Sequence, residues 1–137
     1  MNLHVSWTDA RNYVIILGVF LLIDGIWLLC IAKKLYAQQL GYLMADKPKL
    51  LAALAFYLLF VLGLQAFVVN PALAAESWTA ALLPGLLFGL ITYATYDLTN
   101  LATVKDWPVL ITVIDLLWGS FVSAAVSTIS YFLIRVF

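Results

Sequence analysis

Apolar residues dominate four long stretches of this chain, separated by short segments that carry most of its charges. The stretches run roughly from Asn12 to Ala32, Leu50 to Val69, Thr79 to Thr103 and Pro108 to Leu133. About 20 apolar residues suffice to cross a hydrocarbon core. A lone span there must satisfy its own backbone hydrogen bonds, so each stretch is predicted to be a helix. Asp46 and Pro48 before the second stretch, Asn70-Pro71 after it and Pro108 at the start of the fourth mark the breaks. The predicted fold class is all-α: a polytopic membrane protein, a four-transmembrane-helix bundle forming a single integral membrane domain over residues 1–137.

The connections suggest an orientation. Lys33, Lys34, Lys47 and Lys49 lie in the first and Lys105 in the third, against Arg11 and Arg135 on the opposite side. That excess places the first and third connections in the cytoplasm and both termini outside. Tyr36, Leu40, Leu43 and Met44 share one face of a short helix in the first connection, suited to lie in the interface; a solvated loop is the alternative. Trp7, Trp78 and Trp107 flank spans and read as interface anchors. The first span reads as retained, because it exceeds a signal-peptide core and no small-x-small site follows it.

Composition agrees. Hydrophobic residues make up 66% of the 137, charged residues 10%, and the formal net charge is zero. Soluble domains carry about 25% charged residues. The basic residues are too few for a nucleic-acid surface, so no nucleic-acid partner is expected; membrane lipids are. A single cysteine, Cys30, excludes an intrachain disulfide and reads as a small hydrophobe in a helix. His4, the only histidine, reads as a surface residue.

Asp24, Asp97 and Asp115 interrupt three of the spans, with no lysine or arginine inside them. A charged side chain at the bilayer centre costs at least about 2.5 kcal/mol on insertion scales, so each acid is a candidate site residue. Counted from the proposed inner ends at 1.5 Å per residue, all three fall roughly 9–12 Å inside the cytoplasmic boundary, in one layer. Tyr93, Asp97 and Asn100 share one helix face, with Tyr96 beside it and Thr99 further round. Asp115, Trp118 and Gly119 form a comparable stripe with Ser123 one turn beyond, and Asp24 with Trp27 another. An indole N–H is donor-only and suits a carboxylate or a ligand oxygen. Gly25, Gly119 and Gly85-x-x-x-Gly89 would let helices approach closely. Tyr57 and Gln65 read as packing or helix-contact residues. Asp24-x-x-Trp27-Leu28 and Asp97-x-x-Asn100-Leu101 are faintly alike.

Three ionised carboxylates without basic partners would repel one another, so at least one must carry a proton or a cation must lie among them. Oxygen-only ligands (Asp24, Asp97 and Asp115, with Asn100 and Thr99) favour a hard ion, Na⁺, Ca²⁺, Mg²⁺ or Mn²⁺, with the proton alone as the alternative. The acids would also suit a substrate with a positive group. HExxH, Gly-x-Ser-x-Gly, P-loop and nucleophile–histidine patterns are absent, while carboxylic acid/base chemistry stays open.

Asp24-Gly25-Ile26-Trp27-Leu28, Tyr96-Asp97-Leu98-Thr99-Asn100, Lys105-Asp106-Trp107-Pro108 and Asp115-Leu116-Leu117-Trp118-Gly119 occur in this order. Together they resemble a family of small bacterial membrane proteins, domain of unknown function 2177. The resemblance covers nearly the whole chain. It implies four helices integral to the bacterial inner membrane and at most a lipid-related role, and it supplies no mechanism.

The leading expectation is a proton- or cation-linked carrier or sensor of a small amphiphilic or lipid-like substrate. Asp24, Asp97 and Asp115 would bind the ion or proton; Asn100, Thr99, Tyr93, Tyr96, Trp27 and Trp118 would orient the substrate or complete the shell. A homo-oligomer would enlarge a site that four short helices enclose poorly. The rivals are a membrane enzyme using one Asp as base and another as acid on a lipid, and a scaffold whose acids contact partner helices.

Overall fold

A computed structural model describes residues 6–137, and all regular structure among them is helical. His4 lies outside the described residues. Four helices are long and apolar enough to cross a membrane: α1 Trp7–Leu40, α2 Leu50–Ala75, α3 Thr79–Thr103 and α4 Val109–Val136. Large apolar side chains cover their outward faces, Leu22, Leu51, Leu59 and Leu117 among them. Lipid is the solvent that such a surface suits.

The capping chemistry at the start of α1 is local. The Ser6 hydroxyl accepts from the Asp9 backbone N–H at 3.2 Å, and the Asp9 carboxylate accepts from the Ser6 N–H at 3.0 Å. These bonds from Ser6, the backbone one foremost, hold the Asp9 carboxyl below its usual range. Reciprocal capping of this kind satisfies two otherwise orphaned N–H groups.

Two helices run further than their apolar stretches. α1 passes through a π-helical turn, Leu28–Ala32, and continues as Lys33–Leu40, so half of the first connection is an extension of the span. The interfacial-helix reading is corrected here. Tyr36 and Leu40 face the bundle, where Leu40 packs with Trp107 and Ile111, while Leu43 and Met44 lie on the exposed turn. In α2, Asn70-Pro71 does not end the helix. A second π-helical turn, Gln65–Val69, comes just before it, and the helix continues to Ala75. A proline ring normally clashes with the carbonyl four residues back; the widened π turn relieves that crowding. Glu76, at φ 50°, closes the helix in the left-handed region.

The closest helix pair is α3 with α4. A Cβ on Gly85 would lie 2.9 Å from the Ala124 Cα, and one on Gly89 would collide with the Gly119 carbonyl oxygen. The Gly85-x-x-x-Gly89 pattern is therefore a backbone contact. Gly25 is not: a Cβ there would meet nothing within 4 Å, which corrects the expectation of close approach at that position. Ile16, Phe20, Phe60, Leu64, Val122 and Val126 belong to the main core between α1, α2 and α4. At the lysine-bearing end, the Tyr42 O–H donates to the Asp106 carbonyl at 2.7 Å, tying the first connection to the third. Trp107 lies in this region, 8% exposed, with its indole N–H donating to Thr112 at 3.1 Å. It is a packing residue rather than an interface anchor, unlike Trp7 and Trp78, which are exposed.

Candidate functional site

The three membrane-embedded acids are all buried, but their surroundings differ. Asp24, on α1, accepts from the Tyr57 O–H of α2 at 2.9 Å and from the Trp118 indole N–H of α4 at 3.2 Å. Trp27, one turn along α1, stacks on Trp118 with ring centroids 4.4 Å apart and planes 10° apart. Each oxygen of Asp24 thus has one donor, and the stacked indoles hold one of those donors in place. Tyr57, read from sequence as a packing or helix-contact residue, makes its helix contact directly with the acid. Gln65 is the helix contact expected of it, donating to the Asp9 carbonyl at 2.9 Å.

Asp97, on α3, is fully enclosed, and neither of its oxygens has a hydrogen-bond donor. Its carboxyl is near enough to that of Asp115 on α4 for the two to interact. Asp115 accepts a close hydrogen bond from the Tyr36 O–H, which arrives from the extension of α1. Two neighbouring carboxyls have no donor between them unless one carries a proton, which would then serve both.

Hydrogen bonds to charged groups contribute about 1.5–3 kcal/mol each in soluble proteins, and polar pairs about 0.6 on average in membranes. Two such bonds offset much of the cost of Asp24, about 2.5–3.5 kcal/mol on insertion scales. None is available to Asp97. The Asp97–Asp115 pair, not Asp24, is where the structure leaves an acid uncompensated.

The other candidates divide in the same way. Tyr93 is half-buried against Gly119 and close to all three carboxyls. Tyr96 is exposed, edge-on to Trp107 at 5.6 Å between centroids. Asn100 is half-buried, one turn beyond Tyr96 and two beyond Tyr93. Thr99 is exposed and donates its hydroxyl to carbonyls of its own helix, at Thr95 and Tyr96, away from the acids. Beyond Asp115, α4 stays polar on its buried side: Ser123, Ser127 and Ser130 are enclosed, and their hydroxyls lack partners. Only the first of these was singled out from sequence, because serine at a helix contact is unremarkable until its partners are known to be missing.

A cavity of about 560 Å³ reaches this site from the lysine-bearing half of the bundle. Leu28, Leu40, Met44 and Phe56 give it apolar walls; Tyr36, Thr92, Tyr93, Tyr96 and Asp115 supply its polar groups. This volume and mixture are typical of small-molecule pockets. Among the described residues, no three acids, histidines or cysteines gather closely enough to hold a metal ion.

Tyr36 is the participant that sequence reasoning missed. Its only signal was a hydroxyl on the inward side of the Tyr36–Leu40 face.

A family model described as "Predicted membrane protein (DUF2177)" matches residues 10–132, and the chain belongs to that family. No curated protein and no solved structure gives a match. The family description and the four apolar helices make this a multi-pass membrane protein.

Proposed function

We propose that this chain is a carrier for a small amphiphilic or lipid-like ligand, with binding linked to a proton at the Asp97–Asp115 pair. The observation that carries the reading is the donor-less, enclosed carboxyl of Asp97 beside Asp115, which itself lines the cavity. An acid so placed is costly and adds little to helix cohesion, whereas an exchangeable proton or charge gives it a role.

A proton fits better than a hard metal ion. Ca²⁺ takes about 6–8 oxygen ligands and Mg²⁺ demands near-ideal octahedral geometry. Two adjacent carboxyls with phenols nearby make a sparse set for either, and Asp24 is occupied by its own donors. One proton shared across the pair leaves a single negative charge facing the cavity. Tyr36 fixes Asp115, and Tyr93 and Tyr96 form the aromatic wall against which a ligand is oriented. Asp24, Trp27, Trp118 and Tyr57 brace α1, α2 and α4 around it. The protein would reside in the bacterial inner membrane with the lysine-rich connections inside, so the cavity would open in the cytoplasmic half.

The test is a lipid and small-amphiphile profile of a deletion strain complemented with wild type, Asp97→Asn or Asp115→Asn at matched expression. Wild type is expected to restore the profile and both variants to fail. Full restoration by both would sink the proton-linked reading. A chemically altered lipid that appears only with wild type would instead establish catalysis at the same pair.

A further inference from the structure

Resting on that reading, we propose that the cavity selects an amphiphile with a cationic head, an alkylamine or alkylammonium, over neutral and anionic analogues. Asp115 is the one charged side chain on its wall, and no lysine or arginine lines it. Tyr36, Tyr93 and Tyr96 add aromatic rings to the same lining. A cation over such rings is attracted by their quadrupole, more strongly once desolvated. An anion entering the cavity would meet a carboxylate and lose its hydration. A neutral head would leave the charge on the pair unanswered.

The apolar walls, Leu28, Leu40, Met44 and Phe56, fit an aliphatic chain. Leu28 and Phe56 line the wall and are also exposed on the outside of the bundle, 40% and 47% respectively. The cavity thus opens on a surface suited to lipid, and a ligand already dissolved in the bilayer could enter chain and head together. The lysines of the first connection lie outside this lining. They would serve an anionic head only if that head stayed at the mouth, with its tail against Asp115, the arrangement that wastes both ends of the ligand.

The experiment uses the full chain in phosphatidylcholine nanodiscs, with decyltrimethylammonium, decanol and decanoate titrated below their aggregation limits. Saturable occupancy is read by native mass spectrometry. Decyltrimethylammonium is expected to bind at least about tenfold more tightly than decanol, a factor worth about 1.4 kcal/mol, with decanoate weaker still. Asp115→Asn should bring the ammonium down to the decanol level and leave decanol unchanged. Tyr96→Leu, at an exposed ring of the lining, should weaken the ammonium several-fold and by more than it weakens decanol, and it keeps the test valid if the Asp115 variant folds poorly. Equal or tighter binding of decanol or decanoate would overturn the cationic selectivity while leaving an amphiphile site in place. Absence of saturable binding by all three probes would overturn the amphiphile reading itself.

Discussion

Replacing Asp97 and Asp24 by asparagine should have opposite consequences for stability, although both are buried acids of one protein. Asn is nearly isosteric with Asp, so cavity effects are small. At Asp24 the change replaces two hydrogen bonds to a carboxylate, from Tyr57 at 2.9 Å and Trp118 at 3.2 Å, with weaker neutral ones. Charge-assisted bonds are roughly twice as strong as neutral ones, and membrane pairs reach at most about 1.7 kcal/mol. The expected loss is about 1 kcal/mol. At Asp97 no donor is lost, because none is present. The substitution removes an ionisable group whose placement costs about 2.5–3.5 kcal/mol on insertion scales, so stability should be unchanged or should rise by about 1 kcal/mol after the shared proton is lost. Equilibrium unfolding in mixed micelles, followed by tryptophan fluorescence, measures both. The combination expected of Asp97→Asn is full stability with lost complementation, the sign of a residue kept at a cost to the fold. If Asp97→Asn loses 1 kcal/mol or more, about as much as Asp24→Asn, the contrast between a braced acid and an uncompensated one is wrong.

Two further outcomes follow from the packing and the charge pattern. Gly89→Ala should destabilise by about 1–3 kcal/mol because its Cβ meets the Gly119 carbonyl, whereas Gly25→Ala, in open space, should stabilise by about 0.5–1 kcal/mol; equal effects in the same unfolding assay would contradict the α3–α4 contact. Met44→Cys in a Cys30→Ser background should resist labelling by an impermeant thiol reagent in intact cells and react after permeabilisation; labelling from outside would reverse the proposed orientation.

The spans were legible because each segment's transfer into lipid depends on its own composition. Helix ends were less so. The sequence of α2 places Asn70-Pro71 as a stop, yet a π turn immediately before it makes room for the ring, and that turn arises from backbone geometry with no composition signal. Trp107 illustrates a second limit. Its position along the chain matches an interface anchor, but whether an indole faces lipid or protein is decided around the helix axis, here by Leu40 and Ile111.

The acids show where such reading stops. Their cost in lipid made Asp24, Asp97 and Asp115 conspicuous, and depth counting put them in one layer. What separates them is the supply of donors, and those come from Tyr57 and Tyr36, 33 and 79 residues away from the acids they meet. A phenol in a span is inexpensive and therefore inconspicuous; it acquires meaning only when packing sets it against a carboxylate. The choice between structural glue and a working site thus has no single answer for the three acids. Asp24 has the partners that glue requires. Asp97 lacks them and shares its enclosure with Asp115, whose other side faces a cavity large enough for a ligand. Cohesion and chemistry are therefore assigned to different acids, with Trp118, one turn along α4 from Asp115, as the physical link between the brace and the pair.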